Sequence, residues 1–102
     1  MNQSAMIGIS IGILSLHIQL PGCGSLKEKR SRIKPLIYRL HRQFNISVAE
    51  VDYQDAWQDA LIACTLVSND PVQTQRALQA IPPWIEKNWH DLLLVDDHIE
   101  LL

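Results

Sequence analysis

The sequence predicts an α+β fold of the ferredoxin-like type, in which the order βαββαβ gives a four-stranded antiparallel sheet with two helices on one face. Three observations predict it. The chain has 102 residues, 47% of them apolar, which suits a single domain over residues 1–102. Four segments have the alternation or the apolar content of strands. Two others have the period of amphipathic helices.

The first strand is predicted over residues 6–20, where isoleucine and leucine alternate with small or polar residues. The phase of this alternation shifts by one residue after Ile13, which predicts a β-bulge near Ile13 and Leu14. Ser10 and Gly12 give the first half of the strand a face of small side chains. That face predicts the close approach of another element.

The first helix is predicted to begin at Leu26 and to end at Asn45. Ser25 and Glu28 have the spacing of a capping box, which marks the start. The apolar residues from Leu26 to Phe44 fall within an arc of roughly 100° on a helical wheel. The helix therefore buries one side and exposes the other.

The second half of the chain completes the pattern. Two strands are predicted over residues 46–51 and 60–67, the latter apolar on both faces. A second helix is predicted from Pro71, because proline suits a first helical turn, and the prolines at 82–83 must interrupt it. A last strand is predicted over residues 92–101.

The charge is distributed unevenly along the chain. Its net value is −2, yet residues 27–42 hold seven bases and one acid, and the rest holds two bases and ten acids. Cations in the first turn of a helix oppose its dipole by a few tenths of a kcal/mol each, which a negatively charged partner would offset. We therefore predict phosphate contacts with RNA or a ribosomal particle. The residues predicted to make them are Lys27, Lys29, Arg30, Arg32, Lys34, Arg39 and Arg42. The alternative is a solvated helix whose cations pair with acids of its own body, such as Glu50 or Asp52.

Acidic residues gather after the second strand. Glu50 and Asp52 are expected on one side of the strand, with Asp55 and Asp59 nearby. Four carboxylates suit Mg²⁺, but no cluster of histidine or cysteine accompanies them, so no metal site is predicted. We expect a polar edge, or an acidic surface that meets the basic helix of a neighbouring subunit. A metal-dependent hydrolase is the enzymatic alternative.

No catalytic residue and no cofactor is predicted. Residues 22–25 precede a helix but lack the pattern GxxxxGK[ST], so they are interpreted as a tight turn. Neither Cys23 nor Cys64 has the spacing of a nucleophile with its base. The tryptophans suit a core, an oligomer contact or a stacking platform. Aromatic signatures of an RNA-recognition motif are missing from the first and third strands.

Two features concern partners and location. The first and third strands are apolar on both faces, so we expect a second copy of the chain to cover the open sheet face in a symmetric pairing. Residues 5–20 are mostly apolar, interrupted by His17 and Gln19, and run into a lipoprotein-like box, but no Lys or Arg precedes Lys27, so the n-region of a signal peptide is missing. The run is shorter than the ~20 apolar residues that span a bilayer. We therefore expect a cytoplasmic protein without membrane contact.

Three ordered blocks, in residues 20–30 (LPG and SLKEKR), 44–58 and 67–70, resemble the YlxP-like family of small bacterial proteins of unknown function. The similarity covers about residues 7–72. It implies a ferredoxin-like fold. Because the family's genes often stand beside genes for translation initiation and ribosome maturation, it also implies a link to the ribosome or RNA, but it brings no catalytic residues. The chain departs from the family at Gln19, where many relatives have histidine, and at the prolines 82–83.

Together these observations predict a non-enzymatic protein that contacts RNA or a ribosomal particle through its basic first helix. The alternative is a self-assembling interaction module, in which that helix pairs with the acidic surface of another chain.

Overall fold

The computed structural model describes residues 8–102, which form a four-stranded sheet with its helices on one face. The elements are β1 (Ser10–Gln19), α1 (Leu26–Gln43), β2 (Ser47–Asp52), β3 (Asp59–Ser68), α2 (Pro71–Gln79), α3 (Ile81–Asn88) and β4 (Leu93–Leu101). This order confirms the ferredoxin-like prediction, with α2 and α3 together in the place of the second helix. The first two residues of the predicted first strand lie outside the described residues.

The sheet has the order β2-β3-β1-β4, with antiparallel neighbours. β1 pairs with β3 in unbroken register from Ser10 to Gln19, so the predicted bulge near Ile13 and Leu14 is wrong. The phase change in the apolar alternation reflects which face carries the large side chains. In the first half of β1 the isoleucines lie on the open face of the sheet, and in the second half leucine and isoleucine lie under the helices. The register shifts lie instead in the pairing of β4 opposite His17 and Ile18, and in β2.

The small-residue face of β1 does admit a close neighbour, as predicted. A Cβ atom on Gly12 would lie 2.7 Å from Leu78 Cδ1 and 2.7 Å from Thr74 Cγ2, both on α2. The hydroxyl groups of Ser10, Thr74 and Ser68 form a hydrogen-bonded chain beside this contact, with distances of 2.9 and 2.6 Å. The absence of a side chain at Gly12 therefore sets how closely α2 packs on the sheet.

The helix boundaries follow local chemistry. Ser25 Oγ accepts a hydrogen bond from the Glu28 amide at 3.0 Å, and α1 begins at Leu26 as predicted. The Glu28 carboxylate accepts from the Gly24 amide at 3.4 Å, one residue before the position that a capping box uses. Pro71 occupies the first turn of α2. The second helix is interrupted, as predicted, but the break lies at Ala80, and the prolines 82–83 occupy the first turn of α3.

The core lies between the sheet and the helices. It contains the inward side chains of β1 and β3 and the inner sides of the helices, and its largest members include Leu14, Leu16, Ile18, Leu20, Leu36, Leu40, Ile62, Leu78, Ile81 and Ile85. On the opposite face of the sheet Ile9 is 48% exposed and Val67 is 65% exposed. Within residues 8–102 no helix is long and apolar enough to cross a membrane.

Candidate nucleic-acid interface

Packing on the sheet sorts the seven cations of α1 into two groups. The inner side of the helix buries Ile33, Leu36 and Leu40. At 100° per residue, an arc of roughly 120° on the outer side contains four cations and none of the buried residues. These four exposed cations, called the basic row below, are Lys27, Arg30, Lys34 and Arg42. The row extends over about 22 Å, at ~1.5 Å of rise per residue.

Lys29 belongs to the inner side. Its side chain is buried, and its ammonium donates hydrogen bonds to the carbonyl oxygens of Tyr53 at 2.6 Å and Ala56 at 2.8 Å. Glu50 Oε2 lies 2.7 Å from the same ammonium and accepts no hydrogen bond among residues 8–102, so that contact is electrostatic. Lys29 therefore joins α1 to β2 and to the loop after it. We leave it out of the proposed surface, because its charge has a partner within its own chain.

Arg32 is also held by its own chain. Its guanidinium donates to the carbonyl oxygen of Pro21 at 3.2 Å and to that of Asp91. The carboxylates of Asp91 and Glu28 lie 3.5 and 3.6 Å from it. Arg32 thus ties α1 to the loop before it and to the loop that precedes β4, and it too is left out of the surface.

Two other arginines of α1, Arg39 and Arg42, contact aromatic rings. The guanidinium carbon of Arg39 lies 5.6 Å from the ring centroid of Trp84 and 5.9 Å from that of Trp89. Arg42 lies 5.6 Å from the ring centroid of Tyr38 and donates to its hydroxyl at 2.8 Å. Ring contacts orient a guanidinium without neutralising it. Both arginines therefore remain exposed positive charges.

The basic row has no acidic partner within residues 8–102. None of the four side chains comes within 4.0 Å of a carboxylate oxygen there, whereas Lys29 and Arg32 both do. Of the seven predicted phosphate-contacting residues, the structure thus leaves four in an outward row. Arg39 lies beside that row, and two residues are committed to the fold.

The acidic residues are not brought together. Glu50 pairs with Ile62 and Asp52 with Leu61, because the register of β2 shifts between them. Neighbouring residues of β3 face opposite sides of the sheet, so Glu50 lies under the helices and Asp52 on the open face. The expectation that both lie on one side is wrong. Within residues 8–102 no three residues of the metal-binding types converge.

The open face of the sheet combines an apolar region with acidic margins. Ile11, Ile13 and Val67 occupy its centre, and the acids on this side of the strands are Asp52, Asp59, Asp96 and Glu100. His17 Nε2 lies 2.8 Å from Asp59 Oδ1. These acidic side chains therefore lie on the open face of the sheet, on the opposite side of the molecule from the basic row of α1.

The cysteines are part of the core. Cys23 and Cys64 are both buried and free. Burial raises the pKa of the Cys64 thiol to about 12, so it remains protonated at neutral pH. A protonated, enclosed thiol is not a nucleophile.

For Lys29 the structure confirms the alternative given above, in which a cation of the helix pairs with Glu50 of its own chain. The helical wheel holds a further signal for this role. On the helical wheel Lys29 falls within the apolar arc that contains Ile33, Leu36 and Leu40. A lysine at such a position predicts a buried partner of opposite charge. That partner is Glu50, in β2.

Comparison with known proteins agrees with the sequence pattern. The family described as "Protein of unknown function (DUF503)" matches residues 11–98. The chain is also similar to the uncharacterised protein YlxP of Bacillus subtilis (strain 168). The two are 37% identical over 76 residues, which cover 74% of this chain and 83% of that protein.

Proposed function

The chain belongs to the DUF503 family of proteins of unknown function, and on that premise we propose that it is a cytoplasmic, non-enzymatic protein that contacts RNA or a ribosomal particle through the outer side of α1. The observation that carries the proposal is the basic row. Four exposed cations share one side of a helix, and none of them has a carboxylate of the described chain within 4.0 Å.

The placement of these cations favours a polyanionic partner. Lys27 and Arg30 lie in the first turns of α1, where the helix dipole already presents positive charge. Like charges along one helix side also repel one another. Phosphate groups bound along the row would offset both the unfavourable interaction with the helix dipole and the repulsion between the cations. RNA supplies such groups at regular intervals, and contacts with them do not depend on sequence.

The number of exposed cations gives an expected number of phosphate contacts. Four cations would give a slope of log affinity against log salt of about −3 on single-stranded RNA, and five, with Arg39, about −3.5, at ~0.7 per phosphate. All seven cations of the helix would give about −5. The salt dependence therefore distinguishes the exposed row from the full set of charges.

The test is fluorescence anisotropy with a labelled single-stranded RNA of 20 nucleotides, titrated at several salt concentrations. We expect Lys34→Gln to weaken binding and to reduce the slope by ~0.7. Arg76→Gln is the matched control, because it removes an exposed cation from α2 instead. An affinity that is independent of salt, or equal losses in the two variants, would refute the proposal. Co-sedimentation with ribosomal subunits tests the particle as the source of the RNA.

Self-assembly is the second candidate, and the open sheet face favours it. Ile9 and Val67 are exposed, and an apolar depression of ≈ 240 Å³ is lined by Ile13, Ala49 and Ala63. Such a surface suits a symmetric pairing with a second copy of the chain. Sedimentation equilibrium is expected to show a dimer that Val67→Asp dissociates. A wild-type chain that is monomeric at high micromolar concentration would exclude this candidate.

The acidic margins of the same face suggest a different assembly, in which the basic row of one copy meets those acids in another. The double substitution Arg30→Glu with Lys34→Glu distinguishes the two modes. It is expected to dissociate a helix-to-sheet assembly and to leave a sheet-to-sheet dimer intact.

A further inference from the structure

We propose that the RNA is single-stranded, and that an unpaired base stacks against a cluster formed by Arg39, Trp84 and Trp89. This inference rests on the proposed function, and it names the class of RNA. Arg39 comes from α1, Trp84 from α3, and Trp89 from the residue that ends α3. We call these three residues the tryptophan–arginine cluster.

The side chains of the cluster pack against one another and against the core. The Phe44 and Trp84 rings meet edge to face with centroids 5.7 Å apart, which holds Trp84 against the core. Trp89 lies 6.5 Å from Trp84, with its ring tilted by 34°. The Arg39 guanidinium lies over both rings. A rigid aromatic surface loses little conformational entropy when a base stacks on it.

The cluster is also open to solvent. Arg39 is exposed, and Trp89 is only partly buried. Trp89 borders a depression of ≈ 400 Å³ that Asn88, His90 and Asp91 complete. Arg39 and Trp89 therefore both offer accessible surface on which a base can stack, and the polar groups of the depression lie beside Trp89. Unpaired bases stack on aromatic rings and on arginine planes in proteins that bind single strands.

The position of the cluster links it to the phosphate contacts. Arg39 lies between Lys34 and Arg42 along α1, on the flank of the basic row. A strand whose phosphates follow the row would carry its bases past this flank. A duplex keeps its bases paired and cannot place one on the cluster. The central strands of the sheet offer a poorer surface, because β1 and β3 contain no Phe, Tyr or Trp. The one aromatic ring there, that of His17, already stacks on Tyr53 and contacts Asp59.

The experiment compares three probes of similar charge: a single-stranded adenine-rich RNA, an RNA duplex and inorganic polyphosphate. We expect the single strand to bind about tenfold more tightly than polyphosphate, since stacking one base contributes about that factor. Trp89→Leu keeps an apolar side chain and should abolish this difference. Trp57→Leu is the matched control, because Trp57 is 53% exposed in the loop between β2 and β3.

A second variant covers the case in which Trp89→Leu does not fold. Arg39→Lys preserves the charge but removes the planar group. It should weaken the single strand several-fold and leave polyphosphate unchanged. Tryptophan emission gives an independent readout: the single strand should quench it in the wild type and in Trp57→Leu, and duplex RNA should not.

The outcomes separate this inference from the proposed function. If all three probes bind equally and neither substitution in the cluster matters, the stacking inference is overturned, while phosphate contact stands. If RNA and polyphosphate both fail to bind, the proposed function fails, and the inference that rests on it fails too.

Discussion

Replacing Lys29 by methionine removes a buried charge and keeps most of the side chain's length. In the native protein the ammonium lies 2.7 Å from Glu50 Oε2 and donates to two carbonyl oxygens of the loop after β2. The substitution leaves the Glu50 carboxylate, whose side chain is 22% exposed, without a cation. It also removes the donor from both carbonyls.

The expected loss of stability follows from these contacts. Removing one partner of a buried ion pair costs about 3–5 kcal/mol. Because Glu50 keeps some contact with water, we expect the lower part of that range, about 3 kcal/mol. A domain of this kind has a total stability of about 5–15 kcal/mol. Lys29→Met should therefore lower the midpoint of urea unfolding by about 1–3 M.

The assay is urea unfolding followed by circular dichroism, with Lys27→Met as the matched control. Lys27 is exposed two residues earlier on the same helix, and its substitution should change stability by less than about 0.5 kcal/mol. RNA affinity should show the reverse pattern: Lys27→Met weakens it, and folded Lys29→Met retains it. A loss below about 1 kcal/mol for Lys29→Met would refute the assignment of Lys29 to the fold.

Two further predictions concern the core. Gly12→Ala places a methyl group 2.7 Å from atoms of Leu78 and Thr74, so we expect a loss of about 1–3 kcal/mol by overpacking, measured as a lower midpoint in thermal unfolding. The pKa of Cys64 rises on folding from 9.0 to about 12, so the unfolded chain releases this proton first as the pH increases. The contribution of Cys64 to stability is therefore fully present below pH 9 and declines between about pH 9 and 12, and Cys64→Ala should show a smaller decline over that interval.

Local chemistry made much of the fold predictable. Ser25 marks the first helix because its side chain accepts a hydrogen bond from a free amide of the first turn, and Pro71 marks the second because it lacks an amide hydrogen. The small face of β1 predicted the close approach of α2 because only the absence of a side chain at Gly12 permits it. Each of these signals acts over a few residues and needs no knowledge of distant contacts.

The errors arose where pairing between distant segments decides the geometry. The change of side chains after Ile13 was interpreted as a bulge, whereas it records which face of a central strand is covered by helices. The faces of Glu50 and Asp52 depend on a register shift against β3, which the sequence of β2 does not reveal. Counting charges likewise placed Lys29 and Arg32 on the exposed surface, because the contacts that hold them include Glu50 and Asp91, which lie far away in the sequence.

The most direct test of the account is a map of backbone amide chemical shifts as single-stranded RNA is added to the isotope-labelled protein. We predict the largest changes at the basic row, Lys27, Arg30, Lys34 and Arg42, and at Trp89, with little change at the open-face residues Ile13 and Val67. Changes centred on the open face, or none at RNA concentrations near millimolar, would contradict a role for the outer side of α1 in binding RNA.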